Sequence, residues 1–161
     1  MACGGSFASS YPARFLLNQE SSLRVQGYNS SEFVNATPKN VDKNTLVIGT
    51  STKATAETVE ALKVAKEKGA VTVGLSGYAD SLTAQTADYY ITYYHADEWY
   101  KDPTLVHYNS QGTALKIAFW LLKEYDNYEA YDQALEGFEK LETIYGKAYT
   151  DVDKMMEELL A

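Results

Sequence analysis

The sequence predicts an α/β domain in three layers, α/β/α, with a parallel sheet in the middle and a helical C-terminal part. Three observations predict it. Leu46-Val47-Ile48 and Ala70–Leu75 are short apolar runs with the look of strands buried on both faces. Segments of helical period separate such runs, so strand, helix, strand, short helix and strand follow one another from Leu46 to Tyr94. From Leu105 onward the apolar spacing is mostly helical.

Taken in order, the first element is a helix over Phe7–Gln19, with Phe7, Tyr11, Phe15 and Leu16 along one side. Pro12 either kinks it or sits in a first turn, depending on where the helix starts. Leu23–Gln26 is a short strand candidate, and Ser31–Val34 a single helical turn. Leu46–Ile48 is then a strand closed by Gly49. Glu57–Lys68 is a helix with Val59, Leu62 and Ala65 on one face and Gly69 as its stop. Ala70–Leu75 is the next strand, Ser81–Thr86 a short helix, and Asp88–Tyr94 a further strand. Three helices are expected after that, over 105–125, 128–145 and 151–160. We divide the chain into an α/β domain over 1–125 and an acidic helical extension over 126–161. Cys3-Gly4-Gly5-Ser6 reads as a strand-to-helix turn with only Met1 and Ala2 to feed it. A first strand truncated at its start, with a helix ahead of it, is therefore the expectation.

Composition narrows the function. The 161 residues are 45% hydrophobic with three prolines, which suits one domain with a real core. No apolar run is long enough to span a bilayer, and the first residues have neither the basic start nor the apolar stretch of a secretory signal. A single cysteine, Cys3, excludes an internal disulfide and fits a cytoplasmic location. The net charge of −8 is concentrated in Tyr125–Ala161, where ten acids face three lysines. Such a balance argues against nucleic acid as a partner. No metal or cofactor is expected.

Two strand-to-helix turns carry small polar residues. At Gly4-Gly5-Ser6, glycines let a ligand approach the backbone, and a helix start offers free N–H groups. Thr50-Ser51-Thr52-Lys53-Ala54-Thr55 sets four hydroxyls and one ammonium where three phosphate oxygens can be met. Both turns fall at carboxyl ends of parallel strands, the usual place for ligands. Thr55 is also well placed as an N-cap, but capping accounts for Thr55 alone. The two histidines, His95 and His107, sit in or near a tyrosine-rich connection and read as structural.

The segments "ACGGS…YPARFLL", "YNSSEF", "VIGTSTKATAETVEALKVAKEKGA" and "ADYYITY" resemble the sugar isomerase (SIS) domain. Within that family they look most like the N-terminal SIS domain of fructosamine deglycases, which is related to the isomerase half of glutamine–fructose-6-phosphate aminotransferase. The resemblance runs from about Ala2 to Tyr145. It implies a flavodoxin-like sheet and a sugar-phosphate ligand held by Gly4, Gly5, Ser6, Thr50, Ser51, Thr52 and Thr55. It places Glu32, Asn109, Ser110 and Gln111 on the sugar side, although Glu32 also suits a helix N-terminus and Asn109 or Ser110 a cap. Family enzymes carry two SIS domains in one chain. The resemblance thus implies a catalytic glutamate and histidine outside this chain, and a homodimer or a pairing with a second SIS domain. The implied activity is release of glucose 6-phosphate and an amine from a fructosamine 6-phosphate. A phosphosugar sensor without chemistry and an aldose–ketose isomerase are the alternatives. One departure stands out: Lys53 replaces the family's usual loop glycine. A lysine there would be strained at positive φ, so the loop is expected to take another path.

Overall fold

A computed structural model describes residues 1–93 and 103–160 of the chain, with the backbone alone described at 103–109, 141–146 and 149. The elements are α1 (Gly4–Ser9), α2 (Tyr11–Glu20), α3 (Ser30–Asn35), β1 (Leu46–Ser51), α4 (Ala56–Glu67), β2 (Val71–Ser76), α5 (Leu82–Thr86), β3 (Tyr89–Thr92), α6 (Pro103–Asp126), α7 (Tyr131–Glu139) and α8 (Leu141–Leu160). The three strands pair in parallel in the order β1-β2-β3, with Gly49 opposite Gly74 and Ser51 opposite Ser76.

The alternation of side chains along β1 sorts the layers. Val47 turns to one face and packs with Ala61 and Ala65 of α4 and with Phe33 of α3. Gly49, on the same face, lies against Leu62, which is fully buried. Its neighbour across the ladder, Gly74, lets α5 come close. A Cβ at Gly74 would stand 2.5 Å from the Thr83 carbonyl oxygen. Ile48 and Leu46 point the other way, into a cavity they share with Leu17 of α2 and Ala118 and Leu121 of α6. Those two helices pack through Ala13, Leu17, Ala118, Leu121 and Leu122. Helices thus cover both faces of a parallel sheet, the α/β/α arrangement the sequence predicts.

The N-terminus joins this sheet. The Met1 nitrogen donates to the Ile48 carbonyl, the Met1 carbonyl accepts from Thr50 N–H at 2.8 Å, and the Ala2 carbonyl accepts from Ser30 N–H at 3.0 Å. Ala2 forms parallel bridges to both Thr50 and Asn29. Gly69, at φ 85°, ends α4 in the left-handed conformation that glycine tolerates.

Several boundaries differ from expectation. The first helix is two, broken at Ser10, which puts Pro12 in the first turn of α2, where its missing N–H costs nothing. Leu23–Gln26 is not a strand. Leu23 and Val25 pack against the α2–α6 cluster, and among the described residues no ladder neighbour pairs with them. At the C-terminus the helical break falls at Lys140, and α8 runs unbroken from Leu141 through Thr150 to Leu160. Tyr94 and His95 lie outside the described residues, and His107 is described by its backbone only.

Candidate functional site

The bridge from Ala2 to Thr50 sets the Gly4–Ser6 turn beside the end of β1. Gly4 opens α1 at φ 51°, and a Cβ there would meet no atom within 4 Å. Its backbone therefore faces open space, with Gly5 exposed and Ser6 half-buried. The two turns singled out in the sequence share one edge of the sheet, its carboxyl end.

Within the second turn each hydroxyl has a different situation. Thr50 is buried, its N–H held by the Met1 carbonyl. The Ser51 Oγ accepts from the Thr55 N–H at 3.0 Å and lies 3.0 Å from the Thr55 Oγ1. Thr55 occupies the N-cap of α4, yet its side chain makes no cap bond; it is turned back to Ser51. The Thr52 carbonyl accepts from Gly77 N–H at 3.0 Å and from the Ser76 Oγ at 3.2 Å, which ties the turn to the end of β2. The Thr52 Oγ1 accepts from the Tyr93 hydroxyl at 2.9 Å. Lys53 and Ala54 are exposed. Neither has a positive φ, so the loop does take a path that a lysine can follow without strain.

This edge presents Thr52 and Thr55 hydroxyls, half-exposed, together with the start of the twelve-residue helix α4 and the Lys53 ammonium. No carboxylate belongs to the turn itself. Such an assembly can take up an anion through hydroxyl donors and helix N–H groups.

Of the sugar-side candidates, Glu32 is tied to its own helix. Glu32 reaches back to the Asn29 N–H at 3.3 Å, while the Asn29 Oδ1 accepts from Ser31 N–H at 3.2 Å; together they form a capping box on α3. The Glu32 carboxylate is engaged in helix capping. Ser110 is buried in α6 and Gln111 half-buried beside it, while the side chain of Asn109 lies outside the described residues. Sequence reasoning missed two members of the edge: Ser76 and Tyr93. The register signal for Ser76 was legible, because it closes an apolar run as Ser51 does. Tyr93 carried no signal apart from its place in a tyrosine-rich segment.

Burial pushes the Tyr93 phenol above its ordinary range, and the Thr52 hydrogen bond only partly offsets this. Tyr93 is a neutral donor at physiological pH. A second electrostatic knot braces the opposite end of β2. Asp88 is 3.0 Å from the Lys66 ammonium and accepts from Thr72 N–H at 2.9 Å and the Thr72 hydroxyl at 2.8 Å. The Lys66 and Thr72 bonds lower its pKa to about 2.

A cavity of about 670 Å³ lies away from this edge, between β1 and the helices α2 and α6. Its walls include Leu17, Val25, Ile48 and Leu121 together with Arg14 and Arg24, and of the hydroxyl turn it touches Thr50 alone. Size favours that cavity as a binding site, and Arg14 and Arg24 give it cationic donors; the hydroxyl turn instead gathers hydroxyl and helix N–H donors at one strand end.

A three-layer α/β domain with a small-hydroxyl turn at the carboxyl edge of a parallel sheet defines a class of ligand-binding α/β domains. Residues 1–122 match the SIS domain family, and the chain belongs to it. Fructosamine deglycase FrlB of Bacillus subtilis is 34% identical over 150 residues, covering 92% of this chain and 44% of its own. Fructoselysine 6-phosphate deglycase of Escherichia coli is 32% identical over 94 residues, covering 58% of this chain and 28% of its own. A Salmonella typhimurium crystal structure, assigned as a phosphosugar isomerase, superposes with a TM-score of 0.83 at 36% identity, over 94% of this chain and 45% of that one. The chain thus spans less than half the length of these relatives.

Proposed function

We propose that this chain is the sugar-phosphate-binding SIS domain of a fructosamine 6-phosphate deglycase, which releases glucose 6-phosphate and an amine. The observation that carries the reading is the Thr50–Thr55 turn. Its hydroxyls are interlocked at the carboxyl edge of the sheet, beside the Gly4–Ser6 turn, in a chain 34% identical to a fructosamine deglycase over 92% of its length. Ser6, Thr50, Ser51, Thr52 and Thr55 with the Gly4-Gly5 backbone hold the phosphate. Anchoring a group that does not react fixes the sugar's reacting end, and so supports catalysis from remote binding energy. The catalytic glutamate and histidine come from outside this chain, by pairing with a second SIS domain or a second copy, in the cytoplasm. Residues 126–161 are an acidic helical extension to the binding domain. The exposed β3 residues Tyr89, Tyr90 and Ile91 give such a pairing an apolar surface.

Engagement of the Glu32 carboxylate in the α3 cap favours a second reading, a phosphosugar sensor without chemistry of its own. The Salmonella relative favours a third, an aldose–ketose isomerase. Incubating a fructosamine 6-phosphate with the full-length protein and identifying the products separates the three. Binding is tested by thermal shift with glucose 6-phosphate, fructose 6-phosphate, glucose and inorganic phosphate. A ligand at 100 times its Kd stabilises by about 2.7 kcal/mol. Stabilisation by the phosphosugars, weakened in Thr52→Ala, is the expected result. A response to glucose equal to that of glucose 6-phosphate refutes the phosphate anchor.

A further inference from the structure

The geometry points to Tyr93 as a positioning residue that aims the Thr52 hydroxyl hydrogen at the bound phosphate. The inference rests on the phosphate reading of the hydroxyl turn and adds to it a residue from another strand.

A hydroxyl has one hydrogen and two lone pairs. The Tyr93 hydroxyl donates its hydrogen to the Thr52 Oγ1 at 2.9 Å. With that lone pair filled, the Thr52 hydrogen cannot point back along the same line, and it is left for an acceptor on the open side of the turn. Donation into Thr52 also polarises its O–H, which strengthens the bond that O–H makes to an anion. The main chain of Thr52 cannot swing to undo this, because its carbonyl is held by Gly77 N–H and the Ser76 Oγ.

The position of Tyr93 supports a role beyond packing. Tyr89 and Tyr90 of β3 are 67% and 55% exposed, whereas Tyr93, one residue past the strand, is 2% exposed. Its N–H continues the ladder to the Ser76 carbonyl at 3.0 Å, which carries the ring under the turn. A phenylalanine would fill the same space without the cost of burying a phenol oxygen. Tyrosine brings the one thing phenylalanine lacks, a donor aimed at Thr52.

A double-mutant cycle tests the inference, with glucose 6-phosphate as ligand, glucose as control, and wild type, Tyr93→Phe, Thr52→Val and the double variant as proteins. Tyr93→Phe keeps the ring and Thr52→Val keeps the branched shape, so all four should fold; melting temperatures and amide spectra verify it. Tyr93→Phe is expected to weaken glucose 6-phosphate binding about 5-fold, the scale of one net hydrogen bond. In the Thr52→Val background the same change is expected to have no further effect, since its target is gone. A purely structural tyrosine would cost the same in both backgrounds, and that outcome overturns the inference, as does unchanged affinity in Tyr93→Phe alone. If Tyr93→Phe does not fold, the Thr52→Ser variant carries the test: it keeps the hydroxyl and should bind within about 3-fold of wild type if the polarised donor is what matters. A loss with Thr52→Ser as large as with Thr52→Val overturns the inference. If wild type binds no phosphosugar at all, the phosphate reading itself falls, a result distinct from a neutral Tyr93→Phe.

Discussion

The ends of β1 and β2 are built alike and behave differently. Both strands have the same burial pattern, both end in a serine, and Ser51 pairs with Ser76 in the ladder. At the end of β2 the hydroxyls are consumed by the fold. The Ser76 Oγ lies 2.7 Å from the Ser81 Oγ, and Ser81 caps α5 by accepting from Ala84 N–H at 3.1 Å. At the end of β1 the N-cap threonine does not cap. Thr55 turns to Ser51, and Thr52 receives a bond from Tyr93 instead of giving one to its own helix. One turn uses its hydroxyls to finish a helix; the other arranges hydroxyls against one another and leaves the N-cap side chain out of its helix. The same residue types thus cap a helix at one strand end and are left out of capping at its neighbour, where we propose that the phosphate binds.

The largest predicted effect breaks the β2 side. Gly74→Ala drives a Cβ to 2.5 Å from the Thr83 carbonyl, a backbone atom that cannot step aside cheaply, so a loss of about 2–3 kcal/mol is expected in urea unfolding. Next, Ser81→Ala removes a working cap and should cost about 1 kcal/mol while leaving glucose 6-phosphate affinity unchanged. Thr55→Ala should do the reverse, with a stability change of about 0.5 kcal/mol or less and a measurable loss of affinity, because its side chain makes no cap bond. If the two substitutions have equal effects on both readouts, the contrast between the turns is wrong. The smallest effect is a titration. With its pKa lowered to about 2 from 3.8, Asp88 contributes stability that is present above pH 4 and lost as the pH falls toward 2. Melting temperatures of wild type and Asp88→Asn should differ at pH 6 and converge near pH 2.

Much of this was legible because local chemistry and the sheet agreed. The apolar runs at Leu46 and Ala70, the helical spacing of Val59, Leu62 and Ala65, and the stop at Gly69 each had one reading, and the structure follows it. The Thr50–Thr55 segment was legible as a strand-to-helix turn, and it joins the end of β1 to α4. What failed depended on distant partners. Leu23–Gln26 has alternation suited to a strand, but a strand exists only with a ladder neighbour, and Leu23 and Val25 found helices instead. The helices expected over 128–145 and 151–160 left a break between them, yet α8 runs unbroken through it. Tyr93 could not be singled out, because its meaning lies in a bond to a residue 41 positions away.

The most direct test of the account is to map the ligand. Amide chemical-shift changes on titrating glucose 6-phosphate into the labelled chain report where it sits, without relying on activity. The account predicts the largest changes at Ser51, Thr52, Lys53 and Thr55, with a second set at Gly5 and Ser6. Changes centred instead on Arg14, Leu17, Arg24 and Val25, walls of the cavity between β1 and the helices α2 and α6, would contradict it.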